Sequence, residues 1–310
     1  MKKTIFLLIL IHVLFLTSLA QEENPGMIFK EKNYTFPYTL TAPEKVRKLP
    51  PKLNEISGQS HIASDSFACI QDEKGTIYLL NLNTAEIEDK INFADDGDFE
   101  GITLVYKTAW ALKSSGDLYR IEDFLHSEKK HRAKKYETEL SKKNDTEGLA
   151  FDKENNRLLI ACKGNPYIKK KKNGKHKRAI YEFDLDKEEL NGEPAFVIDL
   201  EQIKNFRDYN TLTKLGIELL AMLDENKGDV TFQPSDLAVH PRTNNIYVIG
   251  SVGDLLIVLN PSGEILAMVD LSDKLFNQPE GICFKGDGTM YISNEGGEKK
   301  ATILEFKMIR

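Results

Sequence analysis

The sequence predicts an all-β fold, a five-bladed β-propeller with a helical insertion and an N-terminal strand closing the last blade. Three observations predict it. A short motif recurs, an acidic residue followed by Gly and then Ile or Leu. Its copies fall 44 to 47 residues apart, with one interval of 89, and one propeller blade takes roughly 40–50 residues. Each copy is followed by short β-prone runs separated by turn residues, the pattern of strands joined by hairpins.

The chain of 310 residues opens with a leader rather than a strand. Lys2 and Lys3 precede an apolar stretch from Ile5 to Leu16, and Ser18 and Ala20 supply small residues at a cleavage point. That stretch is too short to span a bilayer. Gln21 rather than Cys follows Ala20, which argues against a lipid anchor. The expected organisation is a signal peptide over 1–20, a linker over 21–33 and the propeller over 34–310, located in the periplasm or secreted. No later run reaches transmembrane length. Loss of the two leader lysines takes the formal charge from −6 to −8, and an acidic body argues against nucleic acid as a partner. Cys69, Cys162 and Cys283 each sit in an apolar run and read as small buried hydrophobes.

The acid-bearing motifs are Glu100-Gly101-Ile102, Glu147-Gly148-Leu149 and Glu280-Gly281-Ile282. Ser235-Asp236-Leu237 is a variant, and Glu55-Ile56-Ser57-Gly58 a looser first copy. After Glu147 come Leu149-Ala150-Phe151, a turn at Asn155-Asn156, and a second run from Arg157 to Ala161. Asp236 and Glu280 are followed by the same sequence of events, with turns at Asn244-Asn245 and Gly286-Asp287-Gly288. Third strands fit 76–80, 118–121, 180–183, 255–259 and 302–306. Outer strands fit 87–91, 195–198 and 265–269.

Within the long interval, Leu212, Leu215, Leu219, Met222 and Leu223 recur at helical spacing, so a helix fills it rather than a sixth blade. The final copy supplies only three strands before Arg310. A propeller needs a closed ring, so the β-prone segment Asn33 to Leu40 is expected to supply the missing outer strand.

Five segments together resemble a known family. They are 53–58, Asp98-Phe99-Glu100-Gly101-Ile102, Asp145-Thr146-Glu147-Gly148-Leu149, 234–241, and Gln278-Pro279-Glu280-Gly281-Ile282. Tyr291-Ile292-Ser293-Asn294-Glu295-Gly296 completes the set. In this order they resemble the SdiA-regulated family of bacterial envelope proteins, over roughly residues 34 to 310. The resemblance implies a five-bladed propeller distantly related to NHL-repeat propellers. It also implies a calcium-binding site, and it assigns no biochemical activity.

In a propeller the innermost strands line a central channel, so residues just before them meet at one mouth. Here these are Glu55, Glu100, Glu147, Asp236 and Glu280. Bare carboxylates in one ring repel one another. A cation, backbone hydrogen bonds or raised pKa values each relieve that repulsion. Calcium suits the first remedy because it accepts six to eight oxygens in flexible geometry. Asn144, Asn294 and Glu295 add oxygens nearby, and the metal set expected is Glu55, Glu100, Glu147, Asp236, Glu280 and Glu295. Magnesium demands tighter geometry, and zinc lacks a His or Cys cluster. An acid before a Gly turn can equally serve to cap its own strand.

Nothing in the sequence marks a nucleophile, and no Gly-x-Ser-x-Gly elbow is present. His240 before Pro241 reads as a strand end, and Trp110, Tyr119, Tyr181, Tyr247 and Tyr291 as core. The lysine-rich stretch 163–178 reads as a solvated hairpin tip or as a contact for an anionic envelope surface. Three readings stay open. One is a calcium-stabilised binding module for an envelope partner or small ligand. A second is a metal-dependent hydrolase, lactonase-, esterase- or phytase-like, using an axial calcium as Lewis acid. A purely structural scaffold is the third option.

Overall fold

The computed structural model describes residues 28–125, 133–169, 174, 176–202, 232–271 and 274–309. Within them lie five antiparallel sheets. Blade 1 comprises Ile56–Ala63, Ser66–Gln71, Thr76–Asn81 and Glu86–Asn92. Blade 2 comprises Phe99–Val105, Thr108–Lys113, Leu118–Ile121 and Lys134–Tyr136. Blade 3 runs Thr146–Asp152, Arg157–Cys162 and Lys177–Asp184, and both Glu189–Leu190 and Phe196–Asp199 pair with that third strand. Blade 4 runs Asp236–Val239, Ile246–Gly250, Leu255–Leu259 and Ile265–Asp270. Blade 5 runs Pro279–Phe284, Met290–Asn294 and Thr302–Phe306.

The five innermost strands contact one another in the cyclic order 1-2-3-4-5-1, which closes the ring. Second strands lie between two neighbouring blades, so they read as unbroken apolar runs. Ile246–Gly250 and Met290–Asn294 are buried at every position. Solvent-facing outer strands alternate with polar residues, as Glu86–Asn92 does. Side chains from adjacent blades interdigitate in five apolar clusters, one at each blade–blade junction. Each fully buried Leu, Ile or Phe there contributes about 1.5–3 kcal/mol.

The ring is closed by an N-terminal strand, but not by 33–40. Lys45–Lys48 pairs antiparallel with Thr302–Phe306 and completes blade 5. Arg47 binds Glu305 across this seam at 3.1 Å, with both side chains largely buried. Pro37 lies in the middle of 33–40 and has no N–H to give a ladder. The segment instead drapes over the junction of blades 4 and 5, burying Phe36, Tyr38 and Leu40. Tyr38 Oη donates to Gly288 O at 2.6 Å. His240 Nε2 lies 3.0 Å from the same hydroxyl. His240 Nδ1 accepts from the N–H groups of Arg242 and Thr243, so Nε2 carries the proton. Burial, with Arg242 beside it, lowers the His240 pKa to about 4. Ile28–Lys30, within the 21–33 stretch, adds a fifth strand to blade 4.

The expected third and outer strands all fall on strands of the structure. Cys69, Cys162 and Cys283 are buried free thiols, as read. The expected helix over 212–223 lies outside the described residues. Among the described residues no helix is long and apolar enough to cross a membrane.

Candidate functional site

Register decides which side chains share the mouth. Four innermost strands slip by one residue against their neighbours, between Ile56 and Gly58, Phe99 and Gly101, Thr146 and Gly148, and Pro279 and Gly281. The bulged residues are therefore Ser57, Glu100, Glu147 and Glu280. A bulge re-aims a side chain away from the ladder, and here each bulge precedes a glycine. The glycines let inner strands approach closely. A Cβ on Gly58 would lie 3.3 Å from Gly101 Cα, and one on Gly148 would lie 2.8 Å from Asp236 Cα.

That succession puts Asp236 in the glycine position of blade 4, and Ser235 in the position of the glutamates. Two hydrogen bonds confirm the equivalence. Ser57 Oγ donates to Phe99 O of the next blade at 2.7 Å, and Ser235 Oγ donates to Pro279 O of its next blade at 2.6 Å. The true ring is thus Ser57, Glu100, Glu147, Ser235 and Glu280. Aligning the motifs by acid misplaces blade 1 by two residues and blade 4 by one. Glu55 is exposed, ahead of its strand.

Asp236 is buried and faces its neighbours' backbone rather than the mouth. Its carboxyl accepts Ile282 N–H at 2.8 Å and Leu149 N–H at 3.4 Å, from the blades on either side. Burial drives its pKa well above the ordinary carboxylate range, against the pull of the Ile282, Leu237 and Leu149 amides. Beyond this level the channel widens into a cavity of about 180 Å³. Gln59, Ile102, Leu149, Leu237 and Ile282 supply its equivalent wall positions.

At the mouth, Glu100, Glu147 and Glu280 form one electrostatic group. Burial, then Glu147, then a hydrogen bond with Asp98, raises the Glu100 pKa to about 9. Burial raises Glu147 to about 7 although Lys163 stands beside it. Glu280 is raised to about 7 by burial and by Glu147, while Ser251 binds it and holds it down. Lys163 Nζ meets Glu147 Oε1 at 2.8 Å. Burial opposes the lysine's charge, but Glu147, Asp145 and Glu280 outweigh it and lift its pKa. A second group lies on blades 5 and 1. Glu295 is raised by burial and by Asp72 and Glu55. Asp72 is raised by burial, then by Glu55 and Glu73.

Lys163, Ser251, Glu295, Asp72 and Ser114 share a rule that the sequence reading missed. Each is the residue directly after its blade's second strand, so they form an outer ring around the bulged residues. Ser114 Oγ donates to Asp98. Lys163 had been grouped with the basic stretch 163–178. Of that stretch, Lys163 and Lys177 are spent on Glu147 and Asp199, and 170–173 and 175 lie outside the described residues. Asn144 joins no ring: its side chain ties Ser141 to Asn165. Asn294 donates to Leu275 O and Thr302 Oγ1, and its buried Oδ1 has no partner among the described residues.

The donors at the mouth are hard oxygens, which is the chemistry calcium prefers. A buried acceptor, Asp72 Oδ1, lacks a donor among the described residues. Yet among the described residues no three Asp, Glu, His or Cys side chains stand close enough to hold one metal ion. In this arrangement the Lys163 ammonium supplies the positive charge beside Glu147.

Fold and site together define a five-bladed β-propeller with a carboxylate-rich mouth. No family model matches the sequence, and no curated protein does. Glutaminyl cyclase from Myxococcus xanthus shares the fold at a TM-score of 0.53 and 12% identity, over 86% of this chain and 96% of that one. A luciferin-regenerating enzyme aligns at a TM-score of 0.46 and 12% identity, over 81% of this chain and 77% of that one. The WD40 domain of Neurospora crassa Pan2 aligns at 0.38 and 8% identity, over 81% and 62%.

Proposed function

We propose that this chain is an exported binding propeller whose mouth takes a positively charged ligand group against Glu100, Glu147 and Glu280, with calcium as the first ion to test. One observation carries the reading. Glu147 is buried and Glu100 and Glu280 half-buried, with Lys163 their one counter-charge among the described residues, and burial first, then repulsion between carboxylates, raises their pKa values. A cation displacing Lys163 from Glu147 would relieve that deficit of positive charge. The leader over 1–20 supports export to the cell envelope, and the ordered motifs support kinship with the SdiA-regulated family.

Calorimetry with calcium chloride, and separately with an alkylammonium salt, tests it. Binding is expected at pH 8, weaker at pH 6 as the glutamates hold their protons, and lost in a Glu147→Gln, Glu280→Gln double variant. If neither cation distinguishes wild type from that variant, the reading fails.

A second reading rests on the same pKa values. Carboxyls near 7 suit general acid–base work at neutral pH, and the propeller from Myxococcus xanthus is named as an enzyme. Turnover would then appear in a panel of lactone, aryl ester, phosphoester and N-terminal glutaminyl peptide substrates and vanish in the double variant. Absence of turnover with calcium present removes it.

A further inference from the structure

Beside blade 1, with none of the three glutamates in its wall, lies a cleft of about 440 Å³ lined by Lys52, Lys74 and Lys90 among others. Its size falls within the roughly 300–1,000 Å³ of sites for small molecules, whereas the channel cavity falls below it. The chain as a whole is acidic, so three lysines around one void run against the background charge.

Their partners separate them. Lys74 is neutralised by Asp96 at 2.6 Å. Lys52 and Lys90 have no carboxylate partner among the described residues, and both line the same cleft. The like charge of Lys52 lowers the pKa of Lys90. The Lys90 ammonium also lies 5.8 Å from the centre of the Tyr78 ring, which forms part of the wall. The remaining polar groups point the same way. Asn92 Oδ1 already accepts from Thr76 Oγ1, and Gln71 Oε1 already accepts from Lys74 N–H. Both amides therefore have their NH2 groups left to donate. One acid, Glu55, also lines the cleft.

We propose that this cleft binds a phosphate monoester, with its dianionic phosphate between Lys52 and Lys90 and its organic group toward Tyr78. Lysine ammoniums bind phosphate as point charges. Two unpaired ones match two negative charges, and the amide NH2 groups of Asn92 and Gln71 can donate to the remaining phosphate oxygens. The side of Tyr78 offers an apolar surface to the ester group.

Titration calorimetry with phenyl phosphate and with inorganic phosphate, at low and at physiological ionic strength, tests this on the full mature chain. The expected result is saturable one-to-one binding of phenyl phosphate, several-fold tighter than inorganic phosphate and weakened by salt. Lys52→Met and Lys90→Met should each weaken it about tenfold or more, the effect of losing a hydrogen bond to a charged group. Lys107→Met, an exposed lysine elsewhere, and Glu147→Gln in the mouth should leave it unchanged. No saturable binding at low salt, or an equal loss in Lys107→Met, overturns the proposal. Equal affinity for the two phosphates overturns the ester assignment.

Discussion

Asp236→Ala is expected to lower the melting temperature by roughly 4–24 °C, the largest effect of any single substitution in the channel. The reasoning starts from the four glycines 58, 101, 148 and 281, which bring the innermost strands together. Blade 4 alone carries a side chain at this level. Its carboxyl accepts N–H groups from blades 3 and 5 at 3.4 and 2.8 Å. Truncation to Ala leaves those donors buried without partners, at about 1–3 kcal/mol each. A large domain loses about 2–4 °C per kcal/mol. Asp236→Asn keeps the shape but replaces one acceptor by an NH2 group, so an intermediate loss is expected. The opposite outcome has a physical basis too. A buried carboxyl carries its own desolvation cost, and if that exceeds what the backbone donors return, the Ala variant melts at or above the parent. A melting scan within 2 °C of wild type would end the idea that Asp236 pins three blades together.

The contrast between Asp236 and Glu147 shows how far the sequence could be read. Blade number, strand order and turns were legible because they rest on local signals repeated at a fixed interval. The Asn-Asn and Gly-Asp-Gly turns, for example, needed no tertiary information. Ring closure was legible as a requirement, but its strand was not. Tyr34, Phe36, Tyr38 and Leu40 alternate like a strand, and Pro37 was the residue that should have shifted attention to Lys45–Lys48. At the site, Glu100, Glu147 and Glu280 were found because a glycine follows each. Ser57 and Ser235 were passed over because the alignment followed acidity, whereas the position is defined by a bulge. A slip of one residue turns a side chain to the other face, which is how Asp236 moved from the mouth to the backbone of its neighbours. Lys163 could be recognised only after all five second strands were aligned at their ends.

The stability of the chain is expected to fall as the pH rises from 6.5 to 8.5, and the three mouth glutamates are a main cause. In the unfolded chain a glutamate loses its proton near its ordinary value of about 4.3. In the fold, burial holds the proton on Glu147 and Glu280 up to about 7, and on Glu100 up to about 9. Between those values the native state binds more protons than the unfolded state, so rising pH favours unfolding. Each group inside its window contributes up to about 1.4 kcal/mol per pH unit. His240 works in the opposite direction. Its folded pKa of about 4 lies below the ordinary 6.5, so the native state binds fewer protons there and stability rises with pH up to about 6.5. The two trends offset each other in mild acid, and above it the glutamates act together with Asp236, whose raised pKa has the same sign of effect. Urea midpoints at pH 6.5, 7.5 and 8.5 should decline more steeply for the wild type than for a Glu100→Gln, Glu147→Gln, Glu280→Gln triple variant, in which the raised Asp236 still contributes. A cation bound at the mouth would favour the deprotonated glutamates, so calcium should restore more stability at pH 8.5 than at 6.5, and only in the wild type. Parallel slopes for the two proteins would mean that the trio is better compensated than burial beside one lysine allows, and the charge deficit invoked for ligand binding would go with it.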